Sequence, residues 1–301
     1  MFTSNIARLS FLEKMNLLIA QLKPFARSVL QPFRGVITWA CQQGMLPLGV
    51  RNILPHRWAH KPFTIYGEGW KCNWMPTEFD GIGHTIFWSG LRVWERETVP
   101  VILSELRQSH CFLDIGANCG IYSVMGCTIN PNLRVVAIEP VPKTFAALSG
   151  NIQANHFEPR IHAVNTALGE SNGIVSFHEA ADATMSSLAT EGYLGQSGNV
   201  IQVSCRTLDS LVEELHIEPD FMKIDVEGFE HVVLAGATQV LTKYRPRMVL
   251  EANPQDPCHL VSDILAEHGY QFQLLTENGP QTKPAIVADQ QFRNWLCTPK
   301  K

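Results

Sequence analysis

The sequence predicts an α/β protein with a doubly wound, mainly parallel sheet covered by helices on both faces. Two observations carry this prediction. From residue 111 onward, short apolar strands alternate with helical patterns, which is typical of parallel strands joined by right-handed crossovers. The first of these strands, 111–115, runs through a glycine-containing turn, 116–120, into a helix, and a strand–turn–helix of this kind can hold a nucleotide-like cofactor.

Residues 1–60 are predicted to form a basic, amphipathic helical extension. They hold seven Lys or Arg and one acid, whereas the whole chain has a net charge of −4. Apolar residues recur at helical spacing over 5–30, with a kink at Pro24, and a second helix is predicted over 34–44. Packing against the rest of the chain is the favoured interpretation, and a peripheral contact with an anionic membrane surface is the alternative. No transmembrane helix is predicted.

Residues 61–110 are predicted to form a strand-rich segment that ends in a helix. Tryptophans and glycines are frequent over 62–100, and the helix begins near 94–98 and runs to Gln108. The chain has eight cysteines and no C-x-x-C pattern, so we expect small buried side chains in the cytoplasm rather than disulfides or a zinc site. The negative net charge provides no general attraction to nucleic acid.

Residues 111–301 are predicted to form one Rossmann-like domain. Its predicted strands are 111–115, 134–139, 161–167, 200–206, 221–226, 247–252, 270–275 and 293–298. Its predicted helices are 120–129, 142–155, 207–215, 228–243 and 257–268, with a hairpin-like stretch at 173–178 and a loop at 180–199. In such a sheet, ligands bind outside the carboxyl ends of the strands, so the functional residues are expected there.

The turn after the first strand favours S-adenosylmethionine over a dinucleotide. A dinucleotide turn follows G-x-G-x-x-G, but here Gly116 and Ala117 lead to Asn118 at the central position, followed by Gly120. Asn tolerates a left-handed backbone and adds a polar side chain. The preceding acid, Asp114, would repel a pyrophosphate and suits the ammonium group of a methionine moiety.

Two further strand ends complete the predicted cofactor site. Glu139 ends the second strand, where a carboxylate can accept hydrogen bonds from both ribose hydroxyls, and Pro140 fixes the turn behind it. Asn165 follows the third strand. It is predicted either to hydrogen-bond the adenine or to cap a turn, and the sequence favours neither.

Charged residues mark the predicted reactive end. Side chains alternate along a strand, so Lys223, Asp225 and Glu227 are expected on one face, although a sheet covered on both faces normally has apolar strands. Glu251 ends the next strand, at the same edge. A Lys223–Asp225 ion pair that merely supports the turn is the structural alternative. The functional interpretation makes Asp225 or Glu227 the base that takes a proton from an acceptor hydroxyl.

Other interpretations stay open. A carboxylate pair could hold Mg²⁺, but no compact set of oxygen ligands is evident, so no metal is favoured. His84, His178 and His231 are rival bases, although each alone is more often a surface or packing residue. Ser186 and Ser187 could line an acceptor pocket or be ordinary loop residues.

Taken together, these motifs resemble the FkbM family of S-adenosylmethionine-dependent methyltransferases. The resemblance covers about residues 94–298 and is most specific over 223–230. The matching segments are Trp94 to Thr98, Asp114 to Asn118, Glu139-Pro140, Asn165 to Gly169, Thr207 to Asp209, and Lys223-Ile-Asp-Val-Glu-Gly-Phe-Glu230. It implies the seven-stranded sheet of class I methyltransferases and O-methylation of hydroxyls on sugars, glycolipids or polyketide-type products. Methylation of a nitrogen acceptor, a non-catalytic module that docks through the N-terminal helices, and a nucleotide-dependent oxidoreductase are the alternatives.

Overall fold

The computed structural model describes residues 30–46, 54, 56–77, 80–179, 187–188 and 199–300. The chain divides into two compact units, the first formed by residues 1–78 and 82–94 and the second by residues 79–81 and 95–301. The predicted helix at 5–30 lies outside the described residues, apart from its last position. Among the helices that are described, none combines the length and the apolar character needed to cross a bilayer. The domain boundaries predicted at residues 60 and 110 stay predictions.

In the residues that the structure describes, the first unit contains two α-helices and a β-hairpin. Its elements are α1 (Arg34–Gln42), β1 (Phe63–Gly67), β2 (Trp70–Trp74) and α2 (Gly81–Ser89). The two strands pair antiparallel around a turn in which Gly69 has a φ of +76°. The predicted second helix is confirmed, whereas α2 was not predicted. Its glycines favour loop structure in isolation, and burial of Ile86, Phe87 and Trp88 overrides that preference.

The second unit alternates strands and helices, as the sequence predicts. Its helices are α3 (Val99–Gln108), α4 (Ile121–Ile129), α5 (Pro142–Ala154), α6 (Leu208–Leu215), α7 (Glu230–Ala235) and α8 (Cys258–Glu267). Its strands are β3 (Cys111–Ile115), β4 (Arg134–Ile138), β5 (Ile161–Val164), β6 (Ala167–Leu168), β7 (Gly173–Glu179), β8 (Ser187–Leu188), β9 (Asn199–Arg206), β10 (Phe221–Ile224), β11 (Arg247–Glu251), β12 (Tyr270–Leu274), β13 (Gln281–Lys283) and β14 (Asn294–Pro299).

The main sheet has the order β13-β12-β14-β11-β10-β3-β4-β5. Strands β5, β4, β3, β10 and β11 pair in parallel, and β14 joins β11 antiparallel. The chain winds outward from β3 to β5 and then returns to β10 on the other side of β3, so the switch point lies between β3 and β10. This is the doubly wound, mainly parallel sheet that the sequence predicts, with β13 as an additional edge strand.

A second, smaller sheet corrects two predictions. Its order is β6-β9-β7-β8, so the strand predicted at 200–206 belongs to this sheet and not to the main one. The strand predicted at 161–167 ends at Val164, and Ala167 and Leu168 pair with β9 instead. The hairpin-like stretch at 173–178 is confirmed as β7, which pairs antiparallel with β9.

The helix predicted at 228–243 is interrupted. Helix α7 ends at Ala235, and a short π-helical turn follows at Val240–Tyr244. Close packing occurs at the break, where a Cβ on Gly236 would lie 2.1 Å from the carbonyl oxygen of Gly169. Only a glycine permits this approach, so the chain passes close to the β6 end at the point where the helix stops.

The core of the main sheet is apolar. Strands β3 and β10 are buried along their length, and the rings of Phe112 and Phe221 stack with centroids 5.3 Å apart. All eight cysteines are buried, and none is joined to another by a disulfide, as the sequence predicts. Against this background, the buried Asp114 and Lys223 on the same two strands are exceptions that need partners.

Gly116 is predicted to be essential for the junction between β3 and β10. Its φ is +74°, and a Cβ there would lie 1.8 Å from the carbonyl oxygen of Asp225. We expect Gly116→Ala to lower the free energy of unfolding by about 2 kcal/mol or more, because both the backbone strain and the clash must be relieved. Urea unfolding measures this effect.

Gly150→Ala is the matched control. Gly150 lies in α5 with no atom within 4 Å of an added Cβ, so alanine there is expected to be neutral or stabilising by up to about 1 kcal/mol. Equal urea midpoints for Gly116→Ala and the unsubstituted protein would contradict the assignment of this close contact.

Candidate functional site

The predicted site residues gather beyond the carboxyl ends of four adjacent strands. Strands β4, β3, β10 and β11 are neighbours in the sheet, and each has, within one residue of its end, an acid that the sequence singles out. The residues predicted to bind the cofactor lie on β3 or follow β3, β4 and β5, whereas those predicted to do chemistry lie on or follow β10 and β11. The site therefore spans the switch point of the sheet, where open α/β sheets bind ligands.

The turn after β3 is fixed by its backbone. The amides of Gly116 and Ala117 both donate to the carbonyl oxygen of Ile138, at 3.0 and 2.9 Å. Asn118 has a φ of +50° and Gly120 a φ of +86°, the left-handed conformations that the sequence predicts for a turn of this composition. The turn is thereby tied to β4 and opens directly into α4.

Glu139 links the turn to the second strand. Its carboxylate accepts hydrogen bonds from the amide of Asn118 at 3.0 Å and from the amide of Val141 at 2.9 Å. Burial raises its pKa to about 7, although both hydrogen bonds act to lower the pKa. The carboxylate is therefore held in place at the rim by the backbone. The contact with ribose hydroxyls stays a prediction.

Asn165 connects the ends of β5 and β4. Its side-chain amide donates to the carbonyl oxygens of Glu139 and Pro140, at 2.8 and 3.0 Å. Of the two roles that the sequence left open, the structure shows the local one, in which the side chain braces a turn. The contact with an adenine stays a prediction, because the side-chain carbonyl oxygen is a separate acceptor.

Asp114 has buried partners. It is 1% exposed, and its Oδ2 accepts hydrogen bonds from the amide and the hydroxyl of Ser123, at 3.1 and 2.6 Å. Burial raises its pKa, and these two hydrogen bonds oppose that effect. What the structure shows is a carboxylate that anchors the first turn of α4 beneath the glycine turn. The predicted contact with a cofactor ammonium is not among these interactions and stays a prediction.

A buried ion pair lies at the end of β10. The ammonium of Lys223 is 2.7 Å from Oδ2 of Asp225, and Lys223 as a whole is 5% exposed. The ammonium also lies 5.2 Å from the ring centroid of Tyr122, within the range of a cation–π interaction. Burial lowers the pKa of Lys223, but the carboxylates of Asp225, Glu95 and Asp114 more than offset this effect and raise the pKa above its usual value.

Three carboxylates meet beside this ion pair. Oxygens of Asp225, Glu227 and Glu251 all lie within 4.8 Å of one another. Burial and the charge of Asp225 raise the pKa of Glu251, which favours its protonated form, and Glu251 shares a hydrogen bond with Asp225. Burial favours the neutral form of Asp225, but Lys223 and this hydrogen bond bring its pKa below the usual value. Asp225 is thus the ionised member of the pair.

Glu227 reaches the cluster by a different route from the one predicted. Strand β10 ends at Ile224, so alternation along a strand does not place Glu227. Instead, Glu227 and Gly228 have φ values of +52° and +95°, a left-handed turn that brings the side chain back to the rim. Burial, followed by the charges of Asp225 and Asp256, raises the pKa of Glu227 to about 8.

Glu230 shapes this turn and was not predicted as a site residue. Its Oε1 accepts hydrogen bonds from the amides of Val226 and Gly228, at 3.1 and 3.4 Å, and the residue is 1% exposed. Burial raises its pKa to about 8. The available signal was an acid three positions after Glu227 at the start of a helix, where a carboxylate can satisfy amides that have no partner within the helix.

Glu95 and Tyr122 were also missed. The hydroxyl of Tyr122 donates to Oε2 of Glu95 at 2.5 Å, and the ring of the same tyrosine faces Lys223. Burial raises the pKa of Glu95, whereas Lys223 and the Tyr122 hydrogen bond lower it. The Glu95–Tyr122 pair thus adds to the group of charged and polar side chains around Lys223. A tyrosine within the apolar α4 was the available signal, because buried tyrosine hydroxyls usually have a hydrogen-bond partner.

The histidines and serines that the sequence offered as alternatives are only partly described by the structure. His84 lies in the first unit, where its ring faces those of His60 and Trp88. His231 lies in α7, and burial lowers its pKa. The side chains of His178 and Ser187 and the whole of Ser186 lie outside the described residues. These residues stay predictions.

Sequence comparisons identify a family. Residues 114–272, more than half of the chain, match the Methyltransferase FkbM domain. The hexuronic acid methyltransferase AglP of Haloferax volcanii is 28% identical over 178 residues, which cover 56% of this chain and 68% of that protein. The 31-O-demethyl-FK506 methyltransferase FkbM of Streptomyces tacrolimicus is 27% identical over 202 residues, which cover 58% of this chain and 77% of that protein.

A solved structure titled methyltransferase FkbM, from Methylobacillus flagellatus, is similar with a TM-score of 0.43 and 20% sequence identity. The match covers 63% of this chain and 43% of that chain, so this chain spans less than half of the solved protein. The fold assignment rests on the strand order of the main sheet, which is that of a class I methyltransferase with one additional edge strand.

Proposed function

Because the chain belongs to the FkbM family of S-adenosylmethionine-dependent methyltransferases, we propose that it methylates a hydroxyl group of a sugar, glycolipid or polyketide-type metabolite. The observation that carries this proposal is the carboxylate cluster of Asp225, Glu227 and Glu251 beside the turn that follows β3. A hydroxyl needs a base before it can act as a nucleophile, and the cluster offers one. Relatives named for hexuronic acid and FK506 methylation support an oxygen acceptor.

The cofactor is proposed to lie across the switch point. Glu139 would receive the ribose hydroxyls, and Gly116 and Asn118 would line the methionine moiety, because the turn that contains them sits between Glu139 and Asp225. When bound, S-adenosylmethionine supplies an electrophilic methyl group on a positively charged sulfur.

Glu227 is the proposed base. Asp225 is held ionised by Lys223 and by a hydrogen bond, so its carboxylate is a weak base, and Glu251 is already protonated. Glu227 has a pKa of about 8, which suits transfer of a proton near neutral pH. In the proposed step, Glu227 would take the proton of the acceptor hydroxyl as that oxygen receives the methyl group. The cofactor would supply the methyl group and keep the electron pair of its carbon–sulfur bond.

A divalent cation is the alternative occupant of the carboxylate cluster. The spacing of the three carboxylates would suit Mg²⁺, which prefers oxygen ligands. Two features disfavour it as the resident group. Lys223 already neutralises Asp225 at 2.7 Å, and the raised pKa of Glu251 favours a protonated form, whose proton a metal ligand would have to lose. We therefore propose that the acceptor hydroxyl, and not a metal ion, occupies this position.

The cellular setting is proposed from the sequence and the cysteines. Eight buried cysteines without a disulfide fit a reducing compartment, so we place the protein in the cytoplasm. A peripheral contact of residues 1–60 with the inner face of a membrane would bring the protein to a glycolipid acceptor. The acceptor is a small molecule or a glycan in either case.

Glu139→Ala is expected to weaken the binding of S-adenosylmethionine by at least about tenfold, because charge-assisted hydrogen bonds to the ribose would be lost. Isothermal titration calorimetry measures the dissociation constant. Glu267→Ala, an exposed acid on α8, is the control and should bind as the unsubstituted protein does. Equal affinity of Glu139→Ala would refute the ribose contact. Absence of heat with the cofactor and with its demethylated product would refute the function.

Glu227→Gln is expected to lower kcat by about 10²-fold or more and to abolish the pH dependence near pH 8. A base acts only when it is ionised, so kcat/KM of the unsubstituted enzyme should rise as the pH increases through about 8. The measurement is methyl transfer from labelled cofactor to a panel of hydroxyl-bearing sugars, with and without a chelator of divalent cations.

Asp225→Asn provides the comparison. Loss of its negative charge lowers the pKa of Glu227, so the rising part of the pH profile should move to lower pH while cofactor binding is largely retained and turnover falls.

Normal turnover of Glu227→Gln would exclude Glu227 as the base. Labelling of amine acceptors alone would exclude O-methylation, and loss of activity with the chelator would favour the metal.

A further inference from the structure

Helix α1 of the first unit directs polar side chains inward and apolar side chains outward. Thr38, Cys41 and Gln42 are buried, whereas Phe33, which immediately precedes the helix, and Val36 and Trp39 within it are 57%, 66% and 39% exposed. The three exposed residues are spaced three apart, so they lie on one side of the helix, opposite the buried residues. We call Phe33, Val36 and Trp39 the outer face of α1.

Hydrogen bonds fix this orientation. The side chain of Gln42 donates to the carbonyl oxygen of Thr64 and accepts from the amide of Tyr66, both at 3.0 Å, so it pairs with β1 as a neighbouring strand would. At the same helix end, a Cβ on Gly90 would lie 2.3 Å from the carbonyl oxygen of Gln42. Rotation of α1 to bury its outer face would break these contacts.

The opposite end of α1 is fixed as well. The guanidinium of Arg34 donates to the carbonyl oxygens of Trp58, Lys61 and Pro62, at 2.6, 2.9 and 2.8 Å. These are directional bonds to neutral acceptors, so the positive charge of Arg34 is not cancelled. The outer face is therefore presented to the surroundings by a helix that is fixed at both ends, and a large exposed apolar group of this kind marks an interaction surface.

Charge indicates what this surface meets. The first unit contains ten Lys or Arg and three Asp or Glu, whereas the second unit contains 14 Lys or Arg and 25 Asp or Glu. An anionic surface would attract the first unit and repel the second. The outer face also contains a tryptophan, a residue enriched where membranes meet water. We propose that the outer face of α1 docks onto an anionic lipid surface.

Two other occupants are less well supported. A second copy of the first unit would bring two strongly basic surfaces together, which opposes association through this face. The second alternative occupant is residues 1–29 of the same chain. They also have an excess of basic residues, with four Lys or Arg and one acid, so repulsion between like charges opposes their packing on this face. The docking inference rests on the first unit alone and does not depend on the proposed methyl transfer.

Flotation with lipid vesicles tests the proposal on the full chain. Vesicles of phosphatidylcholine with phosphatidylglycerol are compared with vesicles of phosphatidylcholine alone. We expect binding to the anionic vesicles and at least about tenfold weaker binding of a Val36→Gln, Trp39→Gln double variant, because both attraction of charge and insertion of apolar side chains contribute. Thermal unfolding of the variant is measured alongside to confirm that it is folded, because Trp39 is 39% exposed and part of its side chain packs against the unit.

An Ile174→Gln, Val200→Gln double variant is the matched control. These residues are 75% and 55% exposed, lie on the smaller sheet of the acidic second unit, and should bind vesicles as the unsubstituted protein does. Equal binding of the α1 variant and the unsubstituted protein would overturn the proposal. So would absence of flotation with anionic vesicles, or a dimer in analytical ultracentrifugation that the α1 variant converts to monomer, which would assign the face to a second copy.

Discussion

The buried ion pair between Lys223 and Asp225 is the interaction on which the site depends. Lys223 lies on a central strand of an apolar sheet and Asp225 directly follows that strand, with 6% and 26% of their side chains exposed. Charges removed from water to this extent are costly unless they are paired, and the 2.7 Å contact pairs them. It also decides the charge of its neighbours. Burial and the negative charge of Asp225 raise the pKa of both Glu251 and Glu227, so the three adjacent carboxyl groups differ in their tendency to ionise. The catalytic roles assigned to them stay proposals.

The surrounding elements hold this pair in position. Gly116 allows the turn after β3 to approach the backbone carbonyl of Asp225. The predicted cofactor turn is therefore in direct contact with the segment that carries the predicted catalytic acids. Glu230 holds the amides of the following turn, and Tyr122 covers the ammonium of Lys223 while it binds Glu95. The two halves of the site are thus joined by backbone approach and by a connected set of polar contacts.

The fold, and the grouping of the candidate site residues at one edge of the sheet, could be predicted from the sequence because both follow local patterns. The roles of these residues stay predictions. The order of strands, turns and helices, the glycines of the first turn, and the acids at strand ends can all be read directly from the sequence. Glu227 lies near Asp225 as expected, but strand alternation does not place it there. Strand β10 ends at Ile224, and a left-handed turn at Glu227 and Gly228 brings the side chain to the cluster. Glu95 was missed because its partner Tyr122 lies 27 positions away, and only the fold brings them together. Helix α2 was also missed, because it is stabilised by the burial of its apolar side chains and not by local helix propensity.

A double-mutant cycle in the free energy of unfolding tests the central role of the ion pair. Lys223→Met, Asp225→Asn and the combined variant are compared by urea unfolding at neutral pH. If the pair is the interaction that stabilises this buried site, each single variant leaves a charged partner behind, and the double variant is less destabilised than the sum of the singles by about 2 kcal/mol or more. Effects that add to within about 0.5 kcal/mol would contradict this account.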